Sequence, residues 1–227
     1  MTARLLARAE QSCPRLLALD HADQKANWGA NRGFRVPNQV EADARLAHAR
    51  LGVPRPEHFR PTDDLIDEER LLYEMAARWY VTLFGDQPVV VADTDTDDFS
   101  TTAPRLGVRL VGPAGLAVEG PDGERELRLL SLGDRSTEDV LEAPRTRFAL
   151  LRRARWTKAG PVRVVRADLL GGWAVGVDLD GTAAWDGLRD WLAARLEVIH
   201  SVADRTAPRA GWECARCRYI AGCAALR

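Results

Sequence analysis

The sequence predicts an α/β domain with a helical N-terminal region. Three observations predict it. Helical periodicity dominates residues 1–85, β-branched runs separated by turn residues follow, and the last long amphipathic stretch closes the pattern. The expected order is helices, three strands, a helix, two strands and a helix. The chain has 227 residues, 46% of them hydrophobic, which is enough for one domain with a sizeable core. The reading divides it into a helical region (1–85), a sheet core with flanking helices (86–206) and a cysteine-rich tail (207–227).

Each element has its own signal. Residues 3–20 set Leu5, Leu6, Leu16, Leu17 and Leu19 on apolar faces, with Pro14 suited to a helix start. After the loop NWGANRGFRVPN, the stretch QVEADARLAHARLG reads as a helix stopped by Gly52. DDLIDEERLLYEMAARWYVTLFG reads as a strong amphipathic helix. Its acidic first turns suit the helix dipole, and its expected core stripe is Leu65, Leu72, Met75, Ala76, Trp79 and Leu83. QPVVVADT is a strand. GVRLVGPAGLAVEG and GERELRLLSLG flank GPDG, which predicts a hairpin or meander. RTRFALLRRARW is a helix candidate, PVRVVRADLL and WAVGVDLD are strands, and AAWDGLRDWLAARLEVIHSVAD is the last helix.

Charge narrows the function classes. Thirty-two basic residues face 33 acidic ones, a net charge of -1, which argues against coating nucleic acid by overall charge. No run of 18 apolar residues occurs, so no membrane span is expected, and the N-terminus lacks the apolar run of a secretory signal. The expected location is cytoplasmic, where thiols stay reduced and a disulfide is the weaker reading of the cysteines.

The four cysteines are unevenly placed. Cys13 lies in QSCPRLLALD, and Cys214, Cys217 and Cys223 lie in WECARCRYIAGCAALR. A C-x2-C-x5-C cluster with one distant partner supplies four thiolates, which suits tetrahedral zinc or an iron–sulfur cluster. A zinc ribbon more often brings a second C-x2-C pair, and the chain has none.

A lone N-terminal cysteine in C-P-R-L, followed by C-x2-C-x5-C at the far end with Tyr219 inside it, resembles the iron–sulfur branch of the PD-(D/E)XK nucleases. That branch includes RecB-type exonucleases, the AddB nuclease domain and CRISPR-associated RecB-like nucleases. The resemblance spans nearly the whole chain. It implies a restriction-endonuclease-like core with a central mixed sheet. It also implies a C-terminal clasp in which Cys13, Cys214, Cys217 and Cys223 hold a [4Fe–4S] cluster, with zinc as the alternative.

The resemblance further implies metal-binding carboxylates and a lysine, in strands reading G-R-x-D and D-x-K-T-G. The matching frame runs through GVRLVGPAGLAVEGPDGERELRLLSLGD, with Gly112 before the first motif and Gly133 after the second. Gly115 stands at the aspartate position, Leu129 at the second acid and Ser131 at the lysine. Glu41 aligns loosely with a metal-binding histidine, and the helix matching Q-x-x-x-Y has neither residue. Gly115, Leu129 and Ser131 supply no carboxylate for a divalent cation, so no catalytic Mg or Mn is expected. Glu119, Asp122, Glu124 and Glu126 read as solvated hairpin charges.

The expectation is therefore a degenerate nuclease, acting as a DNA-binding or scaffold subunit with a protein partner in a DNA-processing complex. One alternative is an active exonuclease using non-standard carboxylates, with the acidic loop DTDTDDF as a ligand source. Another is a zinc-stapled protein-interaction domain. For DNA, single-stranded or at an end, the candidate contacts are Arg152, Arg153, Arg155 and Lys158 to phosphates and Trp156 to a base. Trp185 and Trp191 lie about 240° apart on a helix, so one of them is expected at an exposed interface.

Overall fold

The computed structural model describes residues 35–51, 53–91, 110, 114–133 and 139–203. The elements run α1 (Arg35–Leu51), a 3-10 turn (Pro56–His58), α2 (Asp67–Phe84), β1 (Val90–Val91), β2 (Leu116–Glu119) and β3 (Arg125–Ser131). They continue with α3 (Pro144–Arg152), α4 (Ala154–Lys158), β4 (Pro161–Asp168), β5 (Trp173–Asp180) and α5 (Gly181–Ala203). Among the described residues the sheet has five strands in the order β1-β2-β3-β4-β5. All neighbours pair antiparallel except β3 and β4, which are parallel. The fold class is thus α/β with a mixed sheet. Among the described residues the order of elements follows the sequence expectation, apart from the division of one expected helix into α3 and α4; the expected helix at residues 3–20 lies outside the described residues.

The sheet is covered on both faces, as its strand sequences require. Along β3, Leu127 and Leu129 join one core with Ala117, Val162 and Val164 and with residues of α3, α4 and α5. Leu130 joins the other, with Leu116, Val118, Val165 and Ala167 against α1 and α2. Alternate side chains of a strand point to opposite faces, so a strand buried on both sides loses the polar alternation of a surface strand. β5, the last strand in this order, keeps Ala174 and Val175 exposed.

The GPDG turn joins β2 to β3, with Gly123 N–H donating to Gly120 O at 3.0 Å and Gly120 N–H to Glu124 O at 2.7 Å. RTRFALLRRARW departs from a single helix. It breaks at Arg153 (φ -104°, ψ 43°) into α3 and α4.

α2 departs in phase. Its buried residues are Tyr73, Ala76, Ala77, Tyr80 and Phe84. Of the expected stripe, Leu65 and Ala76 are buried, whereas Leu72, Met75 and Trp79 are exposed. Two tyrosines and a phenylalanine fill the space between helix and sheet, with the Tyr80 and Phe84 rings 5.0 Å apart. Aromatic rings bury more area than the leucines they displace. Trp185 and Trp191 are both covered, at 7% and 8% exposure, which corrects the expectation that one is exposed. Both belong to the core shared by the sheet and α3–α5. Lys158 lies 5.3 Å from the Trp185 ring, and Arg147 and Arg195 each lie 5.5 Å from Trp191. Long side chains from α3, α4 and α5 therefore cover ring surface that helix geometry alone would leave to water.

α1 and α2 are also joined through Tyr73, which donates a hydrogen bond to Asp43. Burial holds the Asp43 carboxyl above its ordinary 3.8, partly offset by hydrogen bonds from Tyr73 and from the Arg60 backbone. Burial, reinforced by Asp43, likewise raises Tyr73. A raised carboxyl contributes stability below its unfolded pKa of 3.8 and loses it as pH rises through the folded value. Asp43→Asn is therefore expected to flatten this component. The difference in urea midpoint between wild type and variant should change above pH 4 in the variant's favour, and a constant difference would contradict the assignment.

Candidate functional site

Of the positions singled out for chemistry, Gly115, Leu129 and Ser131 lie near one another on the sheet. Gly115 precedes β2, and Leu129 and Ser131 lie on β3, whose antiparallel ladder with β2 pairs Leu116 with Arg128. Gly115 adopts φ +70°, and a Cβ built there would sit 2.7 Å from Leu129 Cδ2 and 2.8 Å from Arg128 O. An aspartate at 115 would thus need a left-handed backbone and space that Leu129 already fills. Leu129 is 2% exposed and belongs to the core with Leu127 and Ala117. Ser131 donates its hydroxyl to Ala167 O at 3.0 Å. Apolar packing and backbone contacts take up this frame, and the three residues offer a divalent cation no carboxylate.

A cation of the chain's own stands beside them. Arg153, at the break between α3 and α4, is fully buried. Its Nε donates to Ala114 O at 3.1 Å and its Nη2 to Gly115 O at 2.6 Å. A fixed positive charge held by the carbonyls just before β2 opposes the approach of a second cation.

Sequence reasoning missed Asp168. It ends β4, is the ladder partner of Ser131, and is 4% exposed. Its Oδ1 accepts the N–H of Gly133 at 2.7 Å and of Leu170 at 3.1 Å. The signal was present in RADLLGG, where an aspartate ends a strand and opens a turn. Asp168 ties the ends of β3 and β4 together.

A second polar group lies on the opposite face of the sheet. Arg128 is fully buried and donates to Glu126 Oε1 at 2.5 Å, Tyr80 Oη at 3.2 Å and Gln87 Oε1 at 2.5 Å. His48 Nε2 lies 3.4 Å from Arg128 Nη1 and 2.9 Å from Tyr80 Oη. The guanidinium also lies 4.2 Å from the Phe84 ring. Burial pushes Tyr80 up to about 12, against the opposing pull of Arg128. Glu41 is nearly buried on α1, 3.5 Å from Arg45.

The hairpin acids divide. Asp122 and Glu124 are exposed as expected. Glu126 instead binds Arg128, and Glu119 accepts the indole N–H of Trp156 at 3.2 Å. The basic segment divides as well. Arg155 and Lys158 are exposed and Arg152 is half-buried. Arg153 is inside, and Trp156 is 7% exposed beneath Arg125, whose guanidinium carbon lies 4.5 Å from its ring. In this arrangement Arg153 does not reach a phosphate, and Trp156 does not present a face to a base. Both residues serve the junction between hairpin and helix.

Cys13, Cys214, Cys217 and Cys223 lie outside the described residues, as do Gly112 and the acidic loop DTDTDDF. Among the described residues no group of three or more His, Cys, Asp or Glu could hold a metal ion. Nor, among them, is any helix long and apolar enough to cross a membrane. No protein-family model matches the chain, and no curated protein matches it either.

Proposed function

We propose that the chain is a RecB-like protein of the PD-(D/E)XK nuclease type that carries an iron–sulfur cluster and does not cut. It acts as a scaffold or DNA-binding subunit of a DNA-processing complex. One observation carries the reading. The positions matching the catalytic acids and lysine are Gly115, Leu129 and Ser131, and they are packed as core and backbone contacts. Further support comes from the mixed sheet, with its β2–β3 hairpin at GPDG, and from the buried charge of Arg153 beside Gly115. The donor set at Cys13, Cys214, Cys217 and Cys223 fits a [4Fe–4S] cluster, which as a structural centre would join the two chain ends. Zinc is the alternative for the same thiolates.

The expected result of incubating the purified protein with single- or double-stranded DNA and Mg²⁺ or Mn²⁺ is no cleavage above a protein-free blank. Cleavage that disappears on a point change at Leu129 or Ser131 would overturn the reading. Anaerobic purification is expected to yield a brown protein containing iron, bleached when any one of the four cysteines becomes serine. A colourless protein containing zinc would replace the cluster assignment.

The burial of Arg153 and Trp156 favours the scaffold role over the DNA-binding one. DNA binding would rest on the exposed Arg155 and Lys158. If those two contact phosphates, changing both to alanine should weaken DNA binding and lower its salt slope by about two. Weak binding that does not respond favours the scaffold.

A further inference from the structure

α2 carries an apolar stripe turned away from both cores. Leu71 is 63% exposed, Met75 48%, Leu72 37% and Trp79 36%. At the helical repeat these four fall within an arc of about 100°, over a length of about 12 Å. A contiguous exposed row of leucine, methionine and tryptophan is the composition of an interaction surface. The row is also preformed. Gly172, at φ +66°, lets the turn after β4 lie against the indole, since a Cβ there would come within 2.6 Å of the Trp79 ring. The exposed rim is acidic, with Asp67, Glu68 and Glu74 against the single basic Arg78.

The chain itself holds a matching segment. Residues 1–34 lie outside the described residues and join α1 at Arg35. Arg35 pairs with Asp64 and with Glu69 in the first turn of α2. The chain therefore enters beside the end of α2 where the stripe begins. The opening MTARLLARAEQSCPRLLALD supplies Leu5, Leu6, Leu16, Leu17 and Leu19, with Arg4, Arg8 and Arg15 against Glu10 and Asp20. Residues 21–34, fully extended, reach roughly 46–50 Å, several times the length of the stripe. A tether of this kind makes docking intramolecular, at millimolar effective concentration.

We propose that the α2 stripe is the seat of the chain's own residues 3–20. Their leucines lie on Leu71, Leu72, Met75 and Trp79, and their arginines face the acidic rim. Seating the segment would also fix where Cys13 is presented. The proposal stands on charge, apolar pattern and chain reach, and does not depend on the nuclease reading.

The test uses the full-length chain labelled with carbon-13 at the methionine methyls. Met1 and Met75 are the only two methionines, so Met75 reports on the stripe directly. A soluble paramagnetic agent measures its exposure. In the wild type the Met75 methyl is expected to be shielded several-fold relative to a variant carrying Leu5→Asp, Leu6→Asp, Leu16→Asp and Leu17→Asp. Leu71→Glu, at the most exposed position of the stripe, should release the shielding from the other side and guards against misfolding of the first variant. Circular dichroism confirms that each variant is folded. A Met75 methyl fully open in the wild type would overturn the proposal. So would shielding that survives both variants. Shielding that grows with concentration alongside a doubled mass would assign the stripe to a second copy of the chain and overturn it equally.

Discussion

Replacing Arg128 with leucine is expected to lower stability by about 3–5 kcal/mol, the cost of breaking a buried ion pair by removing one partner. Arg128 is fully buried and serves Glu126, Tyr80 and Gln87 at once, with His48 at its edge. Leucine fills part of the volume and answers none of the acceptors. Glu126 would be left partly buried without its cation, and the Tyr80 hydroxyl would lose its donor. The measurement is a urea unfolding curve near neutral pH, read as a fall in midpoint at unchanged slope. A spectroscopic signature accompanies it. Tyr80, held at about 12 with Arg128 pulling it down, should titrate higher in the variant while it remains folded. A variant as stable as the wild type would show that the network adds no net stability. Replacing both Arg128 and Glu126 with apolar residues should recover much of the loss, because the penalty lies in the stranded charge.

Arg153→Ala is expected to cost a similar amount, about 3–5 kcal/mol, combining unsatisfied buried carbonyls with a cavity. The guanidinium holds Ala114 O and Gly115 O, the residues that lead into β2. Arg153→Lys keeps the charge but not the fork, so it should recover only part of the loss. The same unfolding curves decide it. Full stability of the alanine variant would mean that the guanidinium is not needed at this junction. The residue was read from sequence as a phosphate contact, and a stability loss with unchanged DNA binding would separate the two roles.

Much of the fold was legible because local signals and global packing agreed. Turn chemistry placed the GPDG hairpin, β-branched runs placed β4 and β5, and helical periodicity placed α2 and α5. What misled was the assumption that leucines, methionine and tryptophan mark the buried side of α2. Periodicity gives a helix but leaves two plausible apolar faces, and here the aromatic face of Tyr73, Tyr80 and Phe84 packs on the sheet. The basic run failed for a related reason. RTRFALLRRARW shows charge but not direction, and a buried arginine is written with the same letter as a solvated one. Gly115, Leu129 and Ser131 are the opposite case. Residues with no metal-binding side chain are legible from identity alone.

The sequence by itself determined the class of fold, the order of its strands and helices, and the absence of carboxylates at Gly115, Leu129 and Ser131, because each follows from residue type and spacing along the chain. Only the tertiary structure decided that Arg128 and Arg153 are interior cations, that Asp168 ties two strand ends, and that Leu71, Leu72, Met75 and Trp79 face outward. Those outcomes depend on partners distant in the chain. The desolvation of a charge or an indole is settled by what packs over it, which no local pattern records.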